Sequence, residues 1–262
     1  MRTAIITGAS SGMGREFVKM AAQRGDLDEI WVIARRADRL SALAAEVSVP
    51  LYILPLDLMK AESYETLKTE LETRRPQVTF LVNASGFGKF GRYDQIPLQD
   101  SLDMIELNCK AMVHVTTLVL PYMGAGSHIV QVDSLSAFQP VPYLSIYGAT
   151  KAFVLSYARS LNVELRDRNI KVMAFCPGWV KTEFFDHAEQ TSKTAVTYFN
   201  KMFTAEEVVR CAMKDSARGK DVCVPGLGVK LQVLGTKLLP HKTVMNIWMR
   251  QQKHDRLPDE NG

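Results

Sequence analysis

The four cysteines of this 262-residue chain, Cys109, Cys176, Cys211 and Cys223, are too scattered to form a C-x-x-C pair. That scatter argues against a zinc site and against a disulfide framework, so no bound metal is expected. It predicts small buried hydrophobes in a reducing compartment, and no local motif marks a nucleophile. Long apolar runs are also missing. A membrane span takes about 18 to 20 apolar residues. The longest candidate, residues 111–123, is interrupted by His114, Thr116, Thr117 and Pro121. The opening Met1-Arg2-Thr3 leads straight into a strand-like run, without the charged-then-apolar layout of a signal peptide. A cytoplasmic location is therefore the expectation. Repeats, low-complexity segments and linker-like stretches are absent as well. Disorder is excluded, because 47% of the residues are hydrophobic and only 23% are charged.

Charge is uneven. Residues 229–254 hold five bases (Lys230, Lys237, Lys242, Arg250 and Lys253) and no acid. The few residues after them total −2 and residues 1–228 total +1, within a net charge of +4. The basicity thus lies near the C-terminus. No nucleic acid partner is expected, because a reader of DNA or RNA needs a larger basic face on a docking element.

Strand-like and helix-like stretches alternate from the start. Strands are predicted at 4–7, 30–34, 51–56, 78–82, 129–132, 172–175 and 222–224. Helices are predicted at 14–23, 37–46, 61–73, 98–120 and 146–166. This alternation is the signature of an α/β fold with parallel strands joined by right-handed crossovers. Uninterrupted apolar strands such as Ile30-Trp31-Val32-Ile33 suit a sheet covered by helices on both faces. One domain over residues 1–225 is expected. Residues 226–262 then form a basic, amphipathic helical extension, with helical stretches at 231–239 and beyond Pro240 to Trp248.

Between the first strand and first helix lie Gly8, Ser10, Ser11, Gly12, Met13 and Gly14, with the glycines spaced G-x-x-x-G-x-G. Such a turn lets a pyrophosphate approach the backbone, and the helix start offers it unpaired N–H groups. The bland alternative is a structural glycine turn. In NAD-binding chains an acid about 20 positions on bonds the ribose 2′-hydroxyl. Here that region reads Ala34-Arg35-Arg36. No local carboxylate would repel a 2′-phosphate, and a guanidinium could clamp one, which points to NADP(H) over NAD(H). The alternative is a pair of solvated surface charges.

Tyr147 and Lys151 share one helix face four residues apart. A free phenol titrates near ~10, and a neighbouring ammonium can lower that value into a useful range. Ser134 lies 13 residues before Tyr147, at the carboxyl edge of a strand, where open α/β sheets bind ligands.

With these motifs in view, residues 3–225 resemble the short-chain dehydrogenase/reductase family. The glycine turn is similar to its T-G-x-x-x-G-x-G. Asp57, followed by Leu58, stands where the family has its adenine-contacting acid. Asn83, Ala84 and Ser85 sit at the start of the family's N-N-A-G, with Ala84 in place of the second Asn and Ser85 in place of Ala, a mild departure. Pro177, Gly178, Val180 and Thr182 fall in its P-G-x-x-x-T segment, and Asn108, Ser134, Tyr147 and Lys151 match its catalytic residues. The resemblance implies a Rossmann-type doubly wound parallel sheet of about seven strands, with a C-terminal helical appendage. It implies that Tyr147 protonates an alkoxide, Lys151 lowers its pKa and bonds the nicotinamide ribose, and Ser134 polarises the carbonyl. Asn108 would hold a water linking Lys151 to solvent. A homodimer or homotetramer through the fourth and fifth helices is also implied. Val154, Tyr157, Ala158, Leu161 and Leu165 form a stripe that could serve it or face the core.

The family's variable substrate lid falls at about 183–204. Phe138, Tyr143, Phe184 and Phe185, with Ser134, are the candidate substrate contacts, and an aromatic rim suits an apolar ketone of hydroxysteroid-like character. His187 is expected on the lid surface, and His114 and His128 as structural residues. The tail is similar to those of long-chain 3-oxoacyl and 17β-hydroxysteroid reductases. It could cap the pocket, pack in a dimer, or make weak peripheral contact with an anionic membrane. Three functions compete: an NADP(H)-dependent ketone reductase, a 3-oxoacyl thioester reductase of lipid metabolism, and an NADP(H)-sensing regulator. The intact Asn108, Ser134, Tyr147 and Lys151 set argues against the sensor.

Overall fold

The computed structural model describes residues 1–192 and 194–253. Its elements run β1 (Arg2–Thr7), α1 (Gly12–Ala22), β2 (Glu29–Ile33), α2 (Ala37–Ala44), β3 (Leu51–Leu54), α3 (Ala61–Arg74) and β4 (Gln77–Asn83). Then follow α4 (Leu98–Ile105), α5 (Ala111–Val119), β5 (Met123–Val132), α6 (Ser145–Glu164), β6 (Lys171–Phe175), β7 (Trp179–Lys181) and α7 (Phe184–Ala188). β8 (Met202–Thr204), α8 (Ala205–Ala217), β9 (Val222–Cys223), α9 (Leu227–Leu238) and α10 (His241–Gln251) complete the chain as described. The part of the expected extension beyond residue 253 lies outside the described residues.

Seven parallel strands pair in the order β3-β2-β1-β4-β5-β6-β9. The order reverses beside β1, so the crevice at the carboxyl ends of β1 and β4 is the natural ligand site of such a sheet. The strands are apolar because both faces are covered. Ile5, Ile6, Trp31, Val32, Leu81, Val130 and Phe175 are all fully enclosed. On one face α1 buries Phe17, whose ring meets Phe80 at 6.5 Å and Phe175 edge-on at 5.8 Å. Truncating such an enclosed aromatic costs about 3–5 kcal/mol.

Several elements depart from the sequence expectation. The helix expected at 98–120 is interrupted by a π-helical turn at Glu106–Lys110. Such turns occur where a helix bulges to place a functional side chain, and Asn108 sits in this one. Helix α8 was not expected, although Thr204 and Glu207 form a full capping box at its start. β7 and β8 pair in a separate two-stranded sheet, outside the periodic pattern. Of the candidate oligomer stripe, Val154, Ala158, Leu161 and Leu165 are buried in the core. That stripe is a packing face. α6 instead exposes Phe153, stacked on the half-buried Tyr157.

The tail packs back onto the sheet domain. Val229 and Val233 of α9 join the main core. Trp248 and Met249 of α10 enter a second, smaller core with Phe90, Val141, Leu144, Ala188 and Val196. Gln252 fastens this unit, its Oε1 accepting from the backbone N–H of Thr197 at 2.8 Å and of Tyr198 at 2.9 Å. Of the two candidate structural histidines, His128 is half-buried beside Ser216, while His114 is exposed and meets the Tyr64 ring edge-on. Among the described residues no helix is long and apolar enough to cross a membrane.

Candidate active site

Two cavities meet at the carboxyl edge of the sheet. The larger, about 520 Å³, is an open cleft at the switch point. Gly8, Ser10, Ser11, Gly12, Met13, Gly14, Arg35, Arg36, Asp57, Leu58, Ala84, Ser85 and Thr182 all line it. The glycines are sterically required. A Cβ on Gly14 would lie 2.2 Å from the Gly8 carbonyl oxygen, and one on Gly8, at φ +67°, would lie 2.7 Å from the Ala84 backbone. Thr7 Oγ1 locks the two loops together by accepting from the N–H groups of Ala84 at 3.0 Å and Ser85 at 3.1 Å. The Ser11 side chain does not cap α1, so the helix start can offer its first amides to an anion. Glycine cradle, helix start and arginines together fit a dinucleotide carrying phosphate groups.

Asn83 is a correction. It is buried below the cleft, donating to Thr116 Oγ1 at 3.0 Å and Gln131 Oε1 at 2.9 Å. It therefore ties β4 to α5 and β5 rather than lining the cleft. The arginines also differ from each other. Arg35 is exposed at the cleft edge. Arg36 donates to Ser10 Oγ at 3.1 Å, to Ser11 Oγ at 2.9 Å, and to Glu183 at 2.9 Å. Glu183 is paired with Arg39 as well, and the two guanidiniums hold its carboxyl below the usual carboxylate range. A carboxylate thus does reach the candidate phosphate site, from a segment far away in sequence. His187, exposed as expected of a lid residue, also lines this cleft.

The second cavity, about 110 Å³, holds the candidate chemistry. Ser134 and Tyr147 line it together with Pro177, Gly178, Val180, Thr182, Phe184 and Phe185. Met13, Thr182 and Phe184 line both cavities, so the two are contiguous. Phe138 and Tyr143 do not line it. Phe138 lies under the Lys237 ammonium at 5.8 Å, and Tyr143 has left-handed backbone, its carbonyl accepting from Gly91 at 3.0 Å. The wall also takes in the apolar Val141, Leu144 and Trp179, the polar Asp133, Ser136, Gln139, Tyr198 and Asn200, and Gln232, Trp248 and Gln251 from the tail. The tail therefore caps this cavity. No local motif announces these residues. They reach the site only because α9 and α10 fold back.

Tyr147 and Lys151 share the inward face of α6. Lys151 Nζ donates to the Val132 carbonyl at 2.9 Å and sits 5.6 Å from the centre of the Tyr147 ring. Burial pushes the Tyr147 hydroxyl well above the usual phenol range. A hydrogen bond with Ser134 opposes this, and Asp133 reinforces it. Burial also pulls the Lys151 pKa down, while Asp133 opposes that shift. Asp133 was not anticipated. It is buried directly before Ser134, its Oδ2 3.5 Å from Cys176 Sγ. Burial raises its carboxyl to about 8, against the pull of Lys151.

Asn108 is fully buried, and both its amide hydrogens and its carbonyl oxygen are committed to protein groups. Nδ2 donates to Phe87 O at 2.9 Å and Thr150 Oγ1 at 3.1 Å, and Oδ1 accepts from Phe87 N at 3.0 Å. Its side chain thus clamps the loop after β4 against α6. Elsewhere, α8 and β9 bring Cys211 and Cys223 to 3.7 Å, with Asp215 alongside. Asp215 is paired with Lys220 at 2.7 Å.

Comparison with known proteins agrees with this geometry. A family model described as short chain dehydrogenase matches residues 2–197. A very-long-chain 3-oxoacyl-CoA reductase from Anas platyrhynchos is 29% identical over 97% of this chain and 80% of its own length. A short-chain dehydrogenase from Sphingobium yanoikuyae in complex with NADPH superimposes with a TM-score of 0.78 at 29% identity, covering 91% of this chain and 94% of that one. The bulky-bulky ketone specific alcohol dehydrogenase from Comamonas testosteroni gives 0.73 at 27% identity, over 91% of each chain.

Proposed function

Because the chain belongs to the short-chain dehydrogenase family of alcohol and carbonyl oxidoreductases, we propose that it uses NADP(H) to reduce an apolar ketone. The observation that carries this reading is the cavity holding Ser134 and Tyr147, walled by Trp179, Phe184, Phe185 and Trp248 and open to the cofactor cleft. The aromatic wall would exclude water from a carbonyl and hold an apolar body by area and edge contacts. Arg35 and Arg36 support NADP(H), since a guanidinium matches a 2′-phosphate with paired hydrogen bonds.

The cofactor, held by the glycine turn, the α1 start, Arg35, Arg36 and Thr182, supplies hydride chemistry. Ser134 donates a hydrogen bond to the carbonyl oxygen and orients it. Tyr147 gives its proton to that oxygen as negative charge develops there. The phenol is protonated at neutral pH and so holds the proton that this step needs. Lys151, fixed on Val132, supplies positive charge behind the tyrosine, and Asn108 keeps the loop and α6 in register.

A 3-oxoacyl thioester is the second reading. It is favoured by the avian reductase, whose likeness extends over 97% of this chain and so includes the tail that caps the cavity. Leu98, Leu102, Ile105 and Phe153 give α4 and α6 an exposed apolar face that supports a homodimer or homotetramer. Four unpaired thiols support a reducing compartment such as the cytoplasm. The test is NADPH oxidation with ketosteroids, 3-oxoacyl thioesters and small aromatic ketones, with Tyr147→Phe as the blank. Turnover above the blank on an apolar ketone is the expected result. Tight NADPH binding without turnover on any class would favour the sensor instead.

A further inference from the structure

The two faces of α9 differ sharply. Val229, Val233 and Thr236 are buried against the domain. On the opposite side Leu227, Leu231, Leu234 and Leu238 are 75%, 60%, 52% and 74% exposed. Their spacing of four, three and four residues places all four leucines in one narrow stripe along the helix. A monomeric surface seldom leaves such a contiguous row in water.

We propose that this outer face of α9 docks on an anionic lipid surface. Charge selects this occupant. The exposed Lys230 and Lys237 lie together along one edge of the leucines, the Lys237 ammonium resting 5.8 Å from the Phe138 ring, and no acid occurs among residues 227–253. An antiparallel two-fold pairing of α9 with a second copy would set these lysines along one shared edge, whereas anionic headgroups would neutralise them. Lysine stems lie along an apolar surface with their ammonium groups at the headgroups, and leucines reach the acyl boundary. The helix lies in the interface plane rather than across it, in keeping with its 12 residues. Gln232 of the same helix lines the substrate cavity. Docking therefore puts the roof of that cavity beside the lipid, where an apolar carbonyl compound concentrates. This last consequence rests on the ketone reading, but the docking does not.

The test is flotation of the full chain with phosphatidylserine–phosphatidylcholine vesicles and with pure phosphatidylcholine vesicles, at low and high salt. The double substitution Leu231→Gln/Leu234→Gln runs alongside, with sedimentation analysis and NADPH-dependent turnover on a water-soluble ketone as controls. The wild type should float with the anionic vesicles only and be released by salt. The variant should bind at least roughly tenfold more weakly while retaining its turnover. Equal flotation of variant and wild type would overturn the proposal, as would no flotation at all. A change of oligomeric state in the variant would also overturn it, since the stripe would then be a contact between copies. Loss of turnover in the wild type bears on the ketone reading alone, because flotation is read without it.

Discussion

Replacing Asp133 with asparagine should make the protein more stable, and by an amount that grows with pH. The native carboxyl is raised to about 8 from an ordinary value of 3.8, because burial disfavours its charge. Between those two values the unfolded chain has released the proton and the native chain still holds it. Stability therefore falls as pH rises, with the favourable state complete below the unfolded value and lost by the native one. Each pH unit in this window is worth about 1.36 kcal/mol, so the cost between about pH 5 and pH 8 is roughly 4 kcal/mol. Asparagine keeps an acceptor near Cys176 and never ionises, so Asp133→Asn lacks this slope. For a chain of this size the gap in melting temperature should widen by roughly 10 °C over that range. Thermal unfolding of both proteins at several pH values, followed by circular dichroism, measures it. A gap that stays constant with pH, or that narrows, would refute the argument from burial. The catalytic cost is separate. Lys151 loses the carboxylate that favours its charged form, so the alkaline limb of the rate profile should move down in pH.

Arg35→Ala should weaken NADPH binding strongly and leave NADH nearly unchanged, as measured by fluorescence titration of both cofactors; equal losses would remove the assignment of the 2′-phosphate site. Glu183→Gln should act in the opposite sense, tightening NADPH about two- to fivefold, because the half-exposed pair it forms with Arg36 competes for the same guanidinium. Trp248→Ala removes a wall residue whose Nε1 donates to the Pro142 carbonyl at 3.0 Å. It should raise the KM for bulky ketones by about tenfold or more at unchanged NADPH affinity, and cost about 3 kcal/mol of stability. An unchanged KM would mean that the tail does not contact substrate.

The cofactor half of the site was legible in the sequence because its requirements are local. Gly8, Gly12 and Gly14 follow one another in a single turn, and their spacing reports the close approach of the Gly8 carbonyl to α1 directly. Tyr147 and Lys151 were equally legible, being one helical turn apart on one face. Asn83 was misplaced for a complementary reason. Its position in a motif was correct, but whether a side chain at a strand end points up into a cleft or down into Thr116 and Gln131 depends on neighbours from other strands.

By itself, then, the sequence determined the parallel α/β sheet, the switch-point turn and the helix that carries Tyr147 and Lys151 on one face, because periodicity and short-range spacing encode burial and backbone approach. Tertiary structure alone decided what surrounds them. Glu183 meets Arg36 across 147 residues of chain, and Trp248 meets Pro142 across 106. Asp133 has its unusual acidity only because β6 and α6 close over it. Likewise the leucines of α9 read as generic amphipathicity until the buried face was taken up by the domain. Long-range packing chooses partners that no local pattern specifies, and in this chain it built the wall of the cavity at Ser134 and Tyr147.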